Sequence, residues 1–169
     1  MTELPYPISE EVPPPEKVAV WAALGLTPIR KLPLWAAHWL VAGYDGENLI
    51  HLAGLPGEDS HETYDALPAA LDDCGVSIPK SDVAAATVVF TDLARMHLNG
   101  QAGPQWIGQK VEEVLCAAGY PADLIALPLG SLYCIADEWD EGWGRPVEQL
   151  IALVHDRCEE QVRTGTATP

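Results

Sequence analysis

The segment that decides the fold is residues 81–100, which read SDVAAATVVFTDLARMHLNG. Ser81 is one of the residue types preferred immediately before a helix, and Asn99-Gly100 is a typical helix end. Between them, apolar side chains and one histidine recur at helical spacing: Val83, Ala86, Phe90, Leu93, Ala94 and His97. The segment therefore predicts a helix over 82–98 that buries one face.

Similar start and stop signals recur along the chain. Pro33 suits a first helical position with Gly43 as the matching end, and Asp59 stands three residues before Glu62 in a capping-box-like start. Pro68 is expected to kink the helix that follows. These signals predict helices over 16–24, 33–43, 47–53, 59–74, 82–98, 105–118, 128–138 and 146–162. The predicted fold class is all-α, a compact single-domain helical bundle or short helical stack of about seven to nine helices.

One alternative to a purely helical chain lies in residues 39–52, WLVAGYDGENLIHL. Asp45-Gly46 between two apolar runs is the strongest short-range signal of a β-hairpin. Against it, neither flank alternates cleanly between apolar and polar residues, and Ala36, Ala37 and Leu40 favour a helix. A small hairpin near 39–52 therefore stays open as an alternative.

The two ends of the chain differ in composition from the rest. Residues 1–15 are rich in proline and predict an extended arm, and residues 164–169, TGTATP, predict a flexible tail. No linker interrupts residues 16–163, which we interpret as a single helical domain. The longest apolar segment, 33–43, is about half the length of a membrane span. Because the N-terminus also lacks the features of a signal peptide, we expect a cytoplasmic protein.

The cysteines do not form a recognisable framework. Cys74, Cys116, Cys134 and Cys158 are widely spaced and contain no CxxC pair, so in the cytoplasm they should be reduced thiols. Cys74, Cys116 and Cys134 stand beside apolar residues, which favours small core positions for all three.

Charge is the strongest compositional signal. The 169 residues include 9 Lys and Arg against 25 Asp and Glu, a formal net charge of −16. Fifteen acids fall in two intervals without a base, one between Lys31 and Lys80 and one between Lys110 and Arg145. Such a field repels nucleic acid and anionic membranes and accelerates encounter with a basic protein. A generally acidic proteome would explain the same composition, and that alternative stays open.

Residues 47–76 have the outline of a helix-turn-helix element, but their charge argues against DNA binding. A recognition helix needs Lys or Arg beside the phosphates. Here the second helix and its flanks hold six acids and no base, so we interpret the segment as an ordinary helical hairpin.

Motifs that would indicate a metal, a cofactor or catalysis are not found in the sequence. No HExxH, paired-cysteine, EF-hand, P-loop, GxGxxG or GxSxG pattern occurs, and His155 with Cys158 on the last predicted helix has no obvious further ligands. We therefore expect no metal, no cofactor and no enzymatic activity. A small enzyme with an unrecognised site, for instance a thiol assembled in space with a histidine, remains the second alternative.

The tryptophans direct attention to residues 134–146, CIADEWDEGWGRP. Trp21, Trp35, Trp39 and Trp106 have apolar helical contexts and are expected in the core. Trp139 and Trp143 instead lie among carboxylates and glycines, so at least one indole is expected to face solvent as an interface anchor. The candidate partner-binding residues are Asp137, Glu138, Trp139, Asp140, Glu141 and Trp143. A second candidate surface consists of Glu58, Asp59, Glu62, Asp65, Asp72 and Asp73.

These features favour a small acidic binding protein that covers a basic surface of a protein partner, as immunity proteins and antitoxin-type inhibitors do. The first alternative is a helical adaptor or scaffold subunit of a larger assembly, which would use an apolar surface rather than an acidic one. The dependence of binding on salt would distinguish the two.

The charge pattern generates a first prediction. In a gel-shift experiment with duplex or single-stranded DNA at low salt, the protein should not bind, because clustered carboxylates oppose the phosphates. A micromolar shift at about 150 mM salt would overturn the interpretation of the charge.

Overall fold

The computed structural model describes residues 11–58 and 60–166. Over these residues the chain forms nine α-helices and no strand, which confirms the predicted all-α class. The helices are α1 (Pro15–Ala23), α2 (Leu32–Val41), α3 (Glu47–Gly54), α4 (Ser60–Asp73), α5 (Asp82–Leu98), α6 (Pro104–Ala118), α7 (Ala122–Ile125), α8 (Ile135–Glu141) and α9 (Val147–Gly165). Short 3-10 turns lie at Ile29–Lys31 and Gly130–Leu132.

The chain divides between Lys80 and Ser81 into an N-terminal and a C-terminal unit, each compact. The single domain predicted over 16–163 stays a prediction. Residues 1–10 of the predicted arm lie outside the described residues. At the other end α9 continues to Gly165, beyond its predicted end at 162. Residues 167–169 of the predicted tail also lie outside the described residues.

The N-terminal unit is built around the packing of α3 against α2 and α4. Trp39 is buried, and its indole Nε1 donates a hydrogen bond to the carbonyl of Pro13 at 2.8 Å. Pro68 lies inside α4, which continues through it to Asp73. The core consists of aliphatic and tryptophan side chains from all four helices, among them Val18, Trp21, Leu32, Trp35, Leu49, Leu52, Leu67 and Leu71.

The hairpin considered near 39–52 is wrong, because Asp45-Gly46 leads into α3 instead of joining two strands. The carboxylate of Asp73, at the end of α4, accepts hydrogen bonds from the backbone N–H groups of Asn48 at 2.8 Å and Leu49 at 2.9 Å. These are donors that the first turn of a helix leaves unsatisfied. Gly46 has φ of 154°, and a Cβ there would lie 2.2 Å from Asp73 Cγ, so only glycine admits this cap.

The C-terminal unit is centred on the packing of α5 against α9. The helix predicted over 82–98 is confirmed to the residue, and Ser81 Oγ accepts a hydrogen bond from Ala84 N at 3.2 Å. The buried face of α5 consists of Ala85, Ala86, Val89, Phe90, Thr91, Leu93 and Ala94. From α9, Leu150, Val154, Cys158 and Gln161 are buried in the same core.

Gln161 joins three parts of this unit through a buried amide. It is 1% exposed, its Oε1 accepts from Leu129 N at 3.2 Å, and its Nε2 donates to Thr91 Oγ1 at 3.3 Å. Leu129 belongs to the connection that precedes α8, and Thr91 belongs to α5. A buried amide must find partners for its polar atoms, so these contacts fix the connection against the helices.

The helix predicted over 128–138 is confirmed only over 135–138, the start of α8, and is wrong over 128–134. The segment forms the Gly130–Leu132 turn, followed by Tyr133 and by Cys134 with a left-handed φ of 61°, and α8 begins only at Ile135. A Cβ on Gly130 would lie 1.8 Å from the carbonyl oxygen of Leu124, so the close approach of this turn to α7 requires glycine. Tertiary contacts at Leu129 and Gly130 thus override the local helical pattern.

The Asp73 cap generates a second prediction. Hydrogen bonds to Leu49 and Asn48 lower the pKa of Asp73 from its ordinary 3.8. Because the pKa of Asp73 is lower in the folded protein, its ionised carboxylate stabilises the fold fully above pH 3.8. This stabilisation is lost as the pH falls through the folded-state pKa. Asp73→Asn should therefore destabilise the protein at neutral pH, and its difference from wild type should shrink below pH 3.8.

Urea unfolding followed by circular dichroism at several pH values measures this difference. Asp72→Asn is the matched control, since it removes the same charge from an exposed neighbour. Equal effects of the two substitutions would show that charge, and not the cap, is responsible.

Candidate partner-binding site

The predicted binding residues lie on α8 and in the turn that follows it. α8 is held close to α6 at Gly108, where a Cβ would lie 2.7 Å from Ile135 Cγ2 and 3.8 Å from the Trp139 ring. Ile135 is buried and Trp139 is half-buried. Trp139 therefore contributes to packing between α6 and α8 as well as to the surface.

Trp143 is the exposed tryptophan of the predicted pair. α8 ends at Gly142, which adopts the left-handed conformation with φ of 64°, and the ring of Trp143 beyond it is 55% exposed. Its Nε1 donates a hydrogen bond to Glu141 Oε2 at 2.5 Å. This confirms that at least one of the two indoles faces solvent, and the contact with Glu141 holds the ring in place.

Glu138 has an internal role that the sequence did not reveal. Its carboxylate accepts hydrogen bonds from Arg145 N at 3.1 Å, from Arg145 Nε at 3.0 Å and from Arg145 Nη2. These contacts lower the pKa of Glu138 to about 2 and raise the pKa of Arg145. The Glu138 side chain is only 13% exposed, and Gly144 allows the approach because a Cβ there would lie 2.7 Å from Glu138 Oε2.

The other acids of this segment face solvent. Asp137, Asp140 and Glu141 are all exposed. Asp140 Oδ1 accepts a hydrogen bond from Gln105 Nε2 on α6 at 3.3 Å. Since Glu138 neutralises Arg145, the charge presented around Trp143 is that of Asp137, Asp140 and Glu141.

A groove of about 620 Å³ lies beside these residues. Two indoles, one proline ring and two aliphatic side chains supply most of its apolar surface. The lining is Gly103, Pro104, Gln105, Trp106, Gln109, Trp139, Val147 and Ile151. Val147 is 52% exposed and Ile151 is 45% exposed. The groove thus combines the start of α6, the end of α8 and the start of α9.

Trp106 was predicted in the core, and that prediction is wrong. Trp21, Trp35 and Trp39 are buried as expected, but Trp106 is half-buried and lines the groove. The ammonium of Lys110 lies 5.5 Å from the Trp106 ring centroid and forms a 2.8 Å ion pair with Glu113. The sequence around Trp106 resembles that of a core residue. Its partial exposure follows from the way α6 packs beside α8 and α9.

A polar cluster fixes the start of α8. Glu112 accepts hydrogen bonds from the Tyr120 hydroxyl at 2.8 Å and from Cys134 N at 3.2 Å, and the rings of Tyr120 and Tyr133 lie 5.6 Å apart. The bond to Glu112 raises the pKa of Tyr120. Tyr120 and Cys134 have φ of 55° and 61°, which non-glycine residues adopt only where surrounding contacts hold them.

The cysteines occupy different environments from those expected. Cys116 is exposed, and Cys74 and Cys134 are half-buried, so the prediction that all three are core residues is wrong. Cys158 is buried, and desolvation raises its pKa to about 12. A thiol with that pKa is not a nucleophile at neutral pH.

The second candidate surface is split by the structure. Glu58, Glu62, Asp65 and Asp72 are exposed, whereas Asp73 serves as the cap of α3, and Asp59 lies outside the described residues. A groove of about 530 Å³ between α3 and α4 is lined by Asn48, His51, Glu62, Asp65, Ala66 and Ala69. This groove is acidic, and its apolar side chains are the small ones of Ala66 and Ala69.

Metal binding and membrane insertion find no support in the part of the chain that the structure describes. There, no three side chains of the His, Cys, Asp or Glu type are arranged to hold a metal ion, although the rings of His97 and His155 lie 5.7 Å apart. No helix in residues 11–58 or 60–166 has both the length and the apolar character required to cross a bilayer.

Comparison with known proteins finds no match to this chain among family models, curated proteins or solved structures. The site is therefore interpreted from its own geometry.

The different burial of the two tryptophans generates a third prediction. Trp143→Ala should change the free energy of unfolding by no more than about 0.5 kcal/mol, the range of surface substitutions. Trp139→Ala removes part of the contact between α8 and α6 and should destabilise the protein by about 2 kcal/mol. Chemical denaturation of both variants measures the difference, and equal losses of stability would show that Trp143 is also part of the core.

Proposed function

We propose that this protein is an acidic binding protein that covers a basic surface of a protein partner, in the manner of an immunity protein or antitoxin-type inhibitor. The observation that carries the proposal is an exposed indole, Trp143, in a segment whose exposed carboxylates are Asp137, Asp140 and Glu141. The nearby cation, Arg145, already forms an ion pair with Glu138.

Two physical arguments support this role. Tryptophan is enriched among the residues that dominate binding energy at interfaces, and an acidic rim selects a basic partner and accelerates its encounter. In the C-terminal unit, moreover, Lys110, Arg145 and Arg157 form ion pairs with Glu113, Glu138 and Glu160. These three cations are thus engaged by acids of the chain itself. The proposed compartment is the cytoplasm.

A helical adaptor is the second candidate, and the groove beside α8 favours it. Val147 and Ile151 are apolar and half-exposed, which suits a hydrophobic contact within a larger assembly. An adaptor of this kind would bind with little dependence on salt, whereas the acidic binding protein would bind more slowly as salt increases.

The fourth prediction concerns the exposed carboxylates. The partner is captured from a lysate of the source organism and identified, and its association is then measured by stopped flow. A variant with Asp137→Asn, Asp140→Asn and Glu141→Gln should associate about tenfold more slowly at low salt, because electrostatic steering is lost. Its rate should also depend less on salt. Glu138 is kept, since its substitution would break the ion pair with Arg145.

The matched control removes the same charge from other exposed positions of the C-terminal unit, with Asp123→Asn, Asp156→Asn and Glu159→Gln. This control should leave most of the association rate in place. If both variants slow association equally, net charge acts without a defined site. If neither does, the proposed function fails.

A further inference from the structure

The groove formed by α6, α8 and α9 shows which kind of partner element fits this protein. We propose that it receives the apolar face of an amphipathic helix that also carries Lys or Arg, supplied by the partner protein. The inference rests on the proposed function and deepens it by specifying the element that is bound.

The lining of the groove is suited to apolar side chains. Trp106 and Trp139 line it as half-buried side chains, and Val147 and Ile151 are exposed over about half of their area. A volume of about 620 Å³ is large enough for several side chains. Removing these apolar surfaces from water would supply binding free energy that the carboxylates alone cannot, because exposed ion pairs contribute little.

Charge at the edges of the groove selects cations. Gln105 lines the groove and donates a hydrogen bond to Asp140, which places that carboxylate at the rim. Glu148, next to Val147, is exposed as well. The neighbouring cation, Lys110, is 10% exposed and paired with Glu113. The rim is therefore negative, and apolar side chains flanked by Lys or Arg are its complement.

The same charge argues against a second copy of this chain as the occupant. With a formal net charge of −16, two copies would repel each other. A basic partner would be attracted by the same charge.

The backbone of the occupant should be helical. The walls of the groove are side chains of helices, and the described residues of this unit contain no strand edge to which an extended peptide could bond. An extended peptide would turn part of its backbone N–H and C=O groups toward the apolar walls, away from water, whereas a helix satisfies these groups internally. Binding of an amphipathic helix in a groove is an established mode of recognition that meets this constraint.

The test uses two synthetic peptides of Leu and Lys with identical composition. In the first, the order of residues places all Leu on one helical face, and in the second the order is scrambled so that no apolar face forms. Binding is measured by calorimetry at about 150 mM salt. The first peptide should bind the wild-type protein at least tenfold more tightly than the second.

Variants in the groove then separate apolar contact from charge. Ile151→Glu and Val147→Glu replace exposed apolar side chains on α9, and circular dichroism verifies that each variant is folded. Both substitutions add negative charge, which by itself would strengthen binding of a cationic peptide. The proposal predicts the opposite, a loss of at least fivefold for the amphipathic peptide. Val41→Glu, at an exposed apolar position of the N-terminal unit, is the control and should not weaken binding.

The remaining outcomes are distinct. If the two peptides bind equally, or if both groove variants bind as tightly as wild type, the groove proposal is wrong while the acidic binding function stands. If neither peptide binds, the groove proposal is again wrong, and the carboxylate variants measured with the captured partner decide the proposed function separately. A dimer in sedimentation experiments that Ile151→Glu dissociates would assign the groove to a second copy instead.

Discussion

The buried amide of Gln161 is the interaction on which the C-terminal unit depends. It links α9 to Thr91 of α5 and to the backbone of Leu129, which precedes the turn before α8. Because Leu129 is held there, Cys134 reaches Glu112 and α8 begins at Ile135. The position of the candidate binding surface thus follows from a polar contact in the core, and a wholly apolar core would not specify the same path for the connection.

The acids of this chain have two different roles, which composition does not separate. Asp73, Glu112 and Glu138 accept hydrogen bonds that cap a helix, hold a strained backbone and close a turn. Asp137 and Asp140, in contrast, face solvent, and Asp140 does so beside an apolar groove. The number of acids therefore does not show which carboxylates can contact a partner, and their exposure and hydrogen bonds separate the two groups.

Sequence patterns predicted what is local and missed what is not. The helix over 82–98 and its Ser81 cap are determined within a few residues, and exposure of Trp143 follows from the glycines beside it. Three hydrogen bonds join residues that are 22 to 32 positions apart, and no local pattern encodes them. They link Asp73 to Leu49, Glu112 to Cys134 and Gln161 to Leu129. The wrong helix prediction over 128–134 and the wrong prediction of Trp106 as a core residue have the same origin, since tertiary contacts decide both.

The cap that Asp73 provides for α3 has a consequence for synthesis on the ribosome. α3 has eight residues, fewer than the roughly 12–15 that an isolated helix needs to be stable in water. Its capping carboxylate is made 24 residues after Leu49. A nascent chain that has not reached Asp73 therefore lacks both the partner helix and the cap that α3 requires. The N-terminal unit can mature only once α4 is complete, so its assembly is a late cooperative step and not a gradual addition of helices in the order of translation.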